Sequence, residues 1–321
     1  MLRAAILDDY QSVALGLADW ASLRGEVEAI AFDDHVADAD ALIRRLEDFE
    51  IIVAMRERTP FPRALIERLP KLKLLVTSGM RNAAIDVAAA TERGIVVSGT
   101  DMLGYPTAEL TWGLILALTR RIPMEIEAMR AGHWQVDLGI GLRGKTLGVL
   151  GLGKLGSQVA KVGKAFDMEV IAWSQNLSSE RAAAVGARLV GKNELLSNAD
   201  VVTVHLVLSD RTRGLIGADE LALMKPTALL VNTSRGPIVG EMALAEALIS
   251  RRIAGAAFDV YDVEPLPRHH PLREVDNLIL TPHIGYVTQE NYAQVFGQTI
   301  DNIRAYLKGQ PIRMLAPPGK G

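Results

Sequence analysis

The most informative segment of this sequence is Lys145-Thr-Leu-Gly-Val-Leu-Gly-Leu-Gly-Lys-Leu-Gly156. Its short apolar run from Thr146 to Leu150 predicts a buried β-strand. Gly151, Gly153 and Gly156 follow this run, and a helical pattern of apolar residues comes after them. In such an arrangement the first glycine permits a tight turn, the second lets the backbone approach a pyrophosphate, and the third lets the helix pack on the strand. The segment therefore predicts a dinucleotide-binding site.

The beginning of the predicted helix would supply further contacts to that site. The backbone N–H groups of Lys154, Leu155 and Gly156 belong to the first helical turn, so they can face an anion. The alternative is an ordinary glycine-rich turn, because a chain with 28 glycines can contain such a spacing by chance. The strand before the glycines and the amphipathic pattern after them favour the cofactor site.

Composition and charge exclude several classes of function. The chain of 321 residues is long enough for about two domains, and its net charge of −3 argues against a nucleic-acid surface. The absence of cysteine excludes disulfides, thiolate metal sites and cysteine nucleophiles. Early acidic residues argue against a signal peptide, and no apolar run reaches membrane-spanning length. We therefore expect a soluble cytoplasmic protein with no metal, nucleic-acid or membrane partner.

Short apolar runs alternate with helical patterns along the first third of the chain. This alternation predicts a parallel, doubly wound α/β sheet. The predicted strands are residues 4–7, 27–32, 51–54, 72–77 and 95–98, and the predicted helices are residues 39–49, 62–69 and 86–93.

The fourth of these strands leads into the turn Ser78-Gly-Met-Arg-Asn82. Ligands of doubly wound sheets bind outside the carboxyl ends of the strands, so Ser78, Gly79 and Met80 are candidate substrate contacts. An ordinary strand-to-helix turn explains these residues equally well.

A second series of strands follows a long apolar helix at residues 106–120. Its predicted strands are residues 146–150, 168–173, 187–190, 201–205, 228–232, 255–258 and 278–280. A last helix at residues 289–307 precedes a Gly/Pro-rich tail and can carry the chain back to the first series. We expect a Rossmann-like dinucleotide-binding domain at residues 103–288, inserted in a substrate-binding, catalytic domain formed by residues 1–102 and 289–321.

Arg235, Glu264 and His283 each follow one of three successive strands of the second series. Because the carboxyl ends of parallel strands meet at one edge of a sheet, we expect the three side chains at the edge where the cofactor crevice opens. A guanidinium can bind a carboxylate through two parallel hydrogen bonds. Hydride transfer between a hydroxyl and a ketone also moves a proton, which a histidine can carry and a neighbouring carboxylate can orient.

Each of these residues also has a simpler explanation when it is considered alone. Arg235 could be a solvated or capping residue, Glu264 could lie on a loop surface, and His283 could be a structural histidine. Their joint position behind the glycine turn favours the catalytic interpretation. By contrast, His269 and His270 lie among prolines without metal-ligand spacing, which predicts an exposed loop.

These segments resemble the D-isomer-specific 2-hydroxyacid dehydrogenases, the family that includes phosphoglycerate dehydrogenase and hydroxypyruvate/glyoxylate reductase. The similarity extends over nearly the whole chain. The motifs that carry it are Leu142-Arg-Gly-Lys-Thr-Leu-Gly-Val-Leu-Gly-Leu-Gly-Lys-Leu-Gly156, His205-Leu-Val-Leu-Ser209 with Thr212, Asn232-Thr-Ser-Arg-Gly236, Asp259-Val-Tyr-Asp-Val-Glu-Pro265 and Thr281-Pro-His-Ile-Gly285.

The resemblance implies an NAD(P)-dependent oxidoreductase that transfers a hydride between the cofactor and a small D-2-hydroxy or 2-oxo acid. In this family pattern, Arg235 binds the substrate carboxylate and carbonyl, Glu264 is the partner of the histidine, and His283 is the acid/base.

The same resemblance implies further contacts. The cofactor would also be contacted by His205, Thr212, Thr233 and Asp259, with Asp259 at its nicotinamide end. Arg56 would line the substrate pocket, and Ser78 to Met80 would offer backbone N–H groups to the substrate carboxylate.

The sequence departs from the family pattern at three places. Ser174, in Ala172-Trp-Ser-Gln-Asn176, stands where NAD-selective members commonly have an acid, so we expect NAD and NADP to bind with weak discrimination. Val207 replaces a common proline in a loop. The chain stops at Gly321, so we expect no C-terminal regulatory domain.

Two further expectations follow from the resemblance. Family members are usually dimers, and the helix with Trp112 and the loop with Trp134 are candidate interface segments, although core packing is an alternative for Trp112. The alternative to the enzyme is a cofactor-sensing binding module like the corepressors of this family, which can keep the same Arg, Glu and His.

Overall fold

The computed structural model describes residues 1–316 and divides the chain into two compact units. The first unit comprises Met1–Leu103 and Val287–Gly321, and the second comprises Gly104–Tyr286. Residues 317–321, the end of the Gly/Pro-rich tail, lie outside the described residues. Among the described residues, no helix is both long and apolar enough to cross a membrane.

The first unit contains a five-stranded sheet in the order β2-β1-β3-β4-β5, and every strand pair is parallel. The central strands are apolar and buried on both faces, as expected when helices cover a parallel sheet. The strands are β1 (Leu2–Ile6), β2 (Val27–Ala31), β3 (Ile51–Ala54), β4 (Leu74–Thr77) and β5 (Val96–Gly99), and the helices of this part of the chain are α1 (Ala39–Leu46), α2 (Arg63–Ile66) and α3 (Val87–Glu92).

Two of these helices begin at aspartates that the sequence places directly before them. Asp38 accepts the backbone N–H of Ala41 at the start of α1, and Asp86 accepts that of Ala89 at the start of α3. These contacts satisfy N–H groups that have no partner within the helix and thereby define where each helix begins.

The second unit contains a seven-stranded parallel sheet in the order β12-β11-β10-β9-β6-β7-β8. The strand order reverses between β6 and β9, which pair with each other in parallel. Ligand crevices form at such a reversal. The strands are β6 (Thr146–Leu150), β7 (Glu169–Trp173), β8 (Arg188–Leu189), β9 (Val201–Val204), β10 (Leu229–Asn232), β11 (Gly255–Phe258) and β12 (Leu278–Leu280). The helices are α4 (Pro106–Thr119), α5 (Ile122–Arg130), α6 (Lys154–Ala165), α7 (Ser179–Ala183), α8 (Lys192–Asn198), α9 (Ala218–Leu223) and α10 (Glu241–Ile249).

The last helix, α11 (Gln289–Leu307), belongs to the first unit, so the second unit is inserted in the first. The side chain of Asn302 in α11 donates to the carbonyl oxygen of Gly99 at 2.8 Å and so links the helix to the end of β5. The predicted fold class, two doubly wound parallel sheets with a Rossmann-like domain inserted in the other, is confirmed.

The helices α4 and α5 of the second unit differ in burial. Trp112 of α4 is buried, its indole N–H donates to Val159 at 3.2 Å, and its ring stacks on Phe166 with centroids 5.0 Å apart. Trp112 is therefore a core residue, which was the alternative to an interface role. In contrast, all nine residues of α5 are at least partly exposed.

Candidate active site

Two glycines of the turn between β6 and α6 have the backbone roles that the sequence predicts. Gly151 has a φ of 100°, and a Cβ there would lie 2.6 Å from the carbonyl carbon of His205. A Cβ at Gly156 would lie 2.1 Å from the carbonyl oxygen of Gly151, so helix and strand could not pack this closely. At Gly153, however, a Cβ would meet no atom of the described residues within 4 Å.

This difference among the glycines fits a dinucleotide. The first and third glycines are required by the protein's own backbone, whereas Gly153 is exposed and leaves room for a group outside the protein. Helix α6 begins at Lys154, and within the described residues no side chain caps its first turn. The backbone N–H groups of Lys154, Leu155 and Gly156 thus lie in the first turn of this helix, where they can bind a pyrophosphate.

Ser174 directly follows β7, where the ribose of a dinucleotide is bound in this kind of fold. Its hydroxyl oxygen accepts the N–H of Leu152 at 3.0 Å, which links it to the glycine turn. Its hydroxyl hydrogen can still donate to a ribose oxygen or a phosphate. Arg181, the nearest cation along the chain, lies in α7 and is exposed.

The other predicted cofactor contacts are already hydrogen-bonded within the second unit. The ring of His205 lies 2.9 Å from the hydroxyl of Thr203, and burial lowers the pKa of His205 to about 4, so the ring is neutral at neutral pH. Thr212 accepts the N–H of Ser209 at 2.8 Å and so closes the loop after β9. The buried hydroxyl of Thr233 lies 2.8 Å from that of Thr111 on α4.

Arg235 lies directly beyond β10, at the start of a short 3₁₀ helix, Gly236–Ile238. Asn232 donates to the carbonyl oxygen of Arg235 at 3.0 Å, and Arg235 Nη1 donates to the carbonyl oxygen of Ser234 at 2.7 Å. A Cβ at Gly236 would lie 2.1 Å from the carbonyl carbon of Tyr261. The backbone after Arg235 is therefore packed directly on the turn that leads to Glu264.

Glu264 and His283 are brought together from the ends of β11 and β12. His283 Nδ1 lies 2.5 Å from Glu264 Oε2, and Glu264 Oε1 accepts the N–H of Tyr261 at 3.0 Å. The side chains of His283 and Glu264 are 16% and 23% exposed. At this edge of the sheet, the Glu264 carboxylate orients the imidazole of His283.

Asp259 has a role that the sequence did not reveal, since its carboxylate holds the turn that carries His283. Asp259 Oδ1 accepts the hydroxyl of Thr281 at 2.6 Å and the N–H of Ile284 at 2.8 Å, while Oδ2 accepts the N–H of Gly285 at 2.8 Å. Burial raises the pKa of Asp259, and these hydrogen bonds oppose the rise. In the sequence, the hydroxyl of Thr281 and the small residue Gly285 near His283 are the only signal of this role of Asp259.

His283 itself has a φ of 51°, in the left-handed region that non-glycine residues rarely adopt. Such strain persists only where the surrounding structure enforces it, and the three bonds to Asp259 do so. The strained backbone is a second indication of function at this residue.

The predicted substrate contacts of the first unit also lie together. Arg56 follows β3 with a φ of 52°, its N–H donates to Ser78 Oγ at 2.8 Å, and its Nη1 donates to the carbonyl oxygen of Ser78 at 3.3 Å. A Cβ at Gly79 would lie 2.3 Å from Arg56 Nη1, so glycine is needed for the guanidinium to lie against this turn. The N–H groups of Ser78 and Gly79 already donate, to Ala54 at 3.2 Å and to Thr100 at 3.2 Å. Met80 is 42% exposed.

A second polar cluster of the first unit was missed by the sequence analysis. Asp8 follows β1, is buried, and accepts the hydroxyl of Thr59 at 2.7 Å, while His35 Nδ1 lies 2.9 Å from its other oxygen. Two acids directly after an apolar strand are the signal that could have found it. Across the described residues, no group of three or more acidic or histidine side chains is arranged to hold a metal ion.

The expectation of an exposed loop is wrong for His270. His269 is exposed, but the side chain of His270 is only 19% exposed, and its Nε2 lies 3.3 Å from Glu241 Oε2. Glu241 lies at the start of α10, 29 positions earlier in the chain than His270, and no local spacing rule connects two residues that are so far apart.

A family model for the NAD binding domain of D-isomer specific 2-hydroxyacid dehydrogenases matches residues 112–285 of this chain. The match covers the glycine turn and the strand ends that carry Arg235, Glu264 and His283.

Individual relatives extend the similarity beyond this domain. A glyoxylate reductase of Aeropyrum pernix is 41% identical over 256 residues, which cover 77% of this chain and 76% of the relative. A D-3-phosphoglycerate dehydrogenase of Methanocaldococcus jannaschii is 42% identical and covers 84% of this chain, but the chain spans only 52% of that relative's length. The crystal structure of a phosphoglycerate oxidoreductase from Vibrio cholerae o395 has a TM-score of 0.91 and 38% identity, and covers 96% of this chain and 100% of that one.

Proposed function

Since the chain belongs to the D-isomer specific 2-hydroxyacid dehydrogenases, we propose that it is an oxidoreductase that transfers a hydride between NAD(P)(H) and a small D-2-hydroxy or 2-oxo acid. The observation that carries the proposal is the contact of 2.5 Å between His283 Nδ1 and Glu264 Oε2. This pair stands at the same sheet edge as Arg235 and the glycine turn.

The cofactor would supply the hydride, and residues of this chain would hold the cofactor. The N–H groups at Lys154 to Gly156 suit the pyrophosphate, and Gly153 leaves room for it. Ser174 is placed for the ribose hydroxyls.

In the direction of reduction, His283 donates a proton to the carbonyl oxygen of the 2-oxo acid. Since Nδ1 faces Glu264, we assign the proton transfer to Nε2. The Glu264 carboxylate orients the imidazole, and Arg235 binds the substrate carboxylate and polarises its carbonyl. In the first unit, Arg56 and the turn from Ser78 to Met80 would contact the substrate.

A panel assay tests this function. We expect oxidation of NADH or NADPH in the presence of glyoxylate, hydroxypyruvate or a bulkier 2-oxo acid, and the best substrate of the panel defines the substrate side chain. Cofactor binding without turnover of any 2-oxo acid would instead support the cofactor-sensing binding module. The names of the relatives, dehydrogenase and reductase, favour the enzyme.

We expect only a weak preference between NAD and NADP, in either direction. The neutral Ser174 does not repel a 2′-phosphate, and Gln175 and Asn176 beside it are exposed and supply no cation to select it. Dissociation constants for NADH and NADPH should differ by less than ~100-fold, or ~2.7 kcal/mol. Ser174→Asp should shift the preference toward NAD, because a carboxylate accepts the ribose hydroxyls and repels the phosphate.

We also propose a homodimer. Helix α5 and the loop after it present a row of exposed apolar side chains, which a second copy of the chain would cover. These are Ile122, Met124, Ile126, Met129, Trp134, Val136, Leu138 and Ile140. Light scattering should give twice the monomer mass at micromolar concentration, and a monomer mass would contradict the proposal. The cytoplasmic location stays a prediction.

A further inference from the structure

A second glutamate–histidine pair lies on the other side of the turn that carries Glu264. Glu241 Oε1 accepts the N–H of Asp262 at 2.8 Å, and Glu241 Oε2 lies 3.3 Å from His270 Nε2. The Glu241 side chain is 11% exposed. This carboxylate is thus held between a backbone N–H and a ring.

The ring of His270 is oriented by its other nitrogen. Leu272 donates its N–H to His270 Nδ1 at 3.3 Å, so Nδ1 is the acceptor of this bond. His270 Nε2, the other ring nitrogen, lies 3.3 Å from Glu241 Oε2. The ring of His270 therefore lies between Glu241 and the backbone of Leu272.

The two glutamates accept neighbouring amides of the same turn. Tyr261 donates its N–H to Glu264 at 3.0 Å, and Asp262 donates its N–H to Glu241 at 2.8 Å. Behind the turn, the backbone of Gly236 is packed so closely on Tyr261 that no side chain fits between them. The position of Glu264 thus depends on how the amide of Asp262 is held.

We propose that Glu241 is a positioning residue, which fixes the Tyr261–Glu264 turn and thereby the geometry between Glu264 and His283. The proposal rests on the proposed function, because it assigns Glu241 an effect on the proposed acid/base pair. Glu241 acts through the amide of Asp262. A misplacement of ~1 Å can cost ~10²-fold in rate, so a loosened turn is expected to lower turnover measurably.

Three variants separate this role from general damage. Glu241→Met keeps the side-chain volume and removes the acceptor, whereas Glu241→Gln keeps an acceptor for Asp262 and removes the charge. Glu246→Met, on the exposed face of the same helix, is the matched control.

We expect Glu241→Met to lower kcat about tenfold, while the KM and the dissociation constant for NADH stay within about twofold of wild type. Glu241→Gln should recover most of this loss, and the control should behave as wild type. Wild-type kcat in Glu241→Met, or equal losses in the Met and Gln variants, would overturn the proposal.

A double-mutant cycle tests whether the effect passes through Glu264. In a Glu264→Gln background, Glu241→Met should cause little further loss of kcat, because the carboxylate that it positions is already gone. A merely structural role would give additive losses and would contradict the proposal.

Hydrogen exchange tests the positioning without any turnover. In Glu241→Met, a peptide covering residues 259–266 should exchange faster than in wild type and in Glu246→Met, since the amide of Asp262 has lost its acceptor. A wild-type protein that turns over no 2-oxo acid would reject the proposed function, and the exchange rates would still show whether Glu241 holds the turn. Unchanged exchange in that peptide would overturn the positioning role.

Discussion

Two glutamate–histidine pairs flank one turn of this molecule, and they differ in what the histidine can do. The exposures are similar, at 16% for His283 and 19% for His270. His270 uses both ring nitrogens within the protein, on Glu241 and on the N–H of Leu272. His283 is oriented through Nδ1 by Glu264. The ring of His270, which accepts a backbone N–H, acts as an anchor, whereas the ring of His283 is oriented by the Glu264 carboxylate for the proposed proton transfer.

The two histidines also differ in backbone conformation. His270 has an extended conformation with a φ of −72°, which any residue adopts. His283 has a φ of 51° and is kept there by the buried carboxylate of Asp259. Backbone strain thus accompanies the proposed chemistry and not the anchor, which is where strained residues concentrate in proteins.

The largest effect is expected for His283→Ala. Turnover should fall by ~10²–10⁴-fold, the usual contribution of general acid–base catalysis, while NADH still binds. Steady-state kinetics and a cofactor titration measure the two quantities. Turnover near that of wild type would remove His283 from the mechanism and erase the difference between the two histidines.

Arg235→Lys should follow, with a fall in kcat/KM of about 10- to 100-fold. One ammonium cannot reproduce the two-pronged contact of a guanidinium, and a hydrogen bond to a charged group contributes ~1.5–3 kcal/mol. The assay is the dependence of rate on the concentration of the 2-oxo acid. A lysine variant as active as wild type would show that Arg235 does not bind the substrate carboxylate.

Gly236→Ala disturbs both pairs together, because the added Cβ would lie 2.1 Å from the carbonyl carbon of Tyr261. Such overpacking typically costs ~1–3 kcal/mol in the free energy of unfolding. We expect lower stability in denaturant and lower kcat, since the turn has to move. As a control, Gly297→Ala in α11 adds a Cβ that meets no atom of the described residues within 4 Å, so it should be tolerated.

The smallest effect is expected for His270→Ala. It removes the ring that lies 3.3 Å from Glu241 Oε2 but leaves the bond from Asp262 in place, and an ion pair of this kind contributes ~0–1 kcal/mol. Turnover should therefore fall by less than about tenfold. If His270→Ala were as damaging as His283→Ala, the distinction between anchor and acid/base would be wrong.

Local pattern was sufficient for most of the fold. Short apolar runs between helical patterns predicted both sheets, because buried parallel strands need continuous apolar residues and their spacing is visible in the sequence. The glycine turn was recognisable because the spacing of its three glycines between an apolar strand and a helical pattern is visible locally in the sequence. Arg235, Glu264 and His283 could be predicted at one sheet edge because parallel strands align their carboxyl ends.

Other features depended on residues that are distant in the chain. The pairing of Glu241 with His270, the turn held by Asp259 and the contact of Gly236 with Tyr261 join segments from different strands and helices. Hydrogen bonds require distances within a few tenths of an ångström, and a sequence pattern specifies an element and its face but not such distances. For that reason the sequence alone identified the strand ends that carry the proposed catalytic residues, whereas only the tertiary structure distinguished the histidine that anchors a turn from the histidine proposed to move a proton.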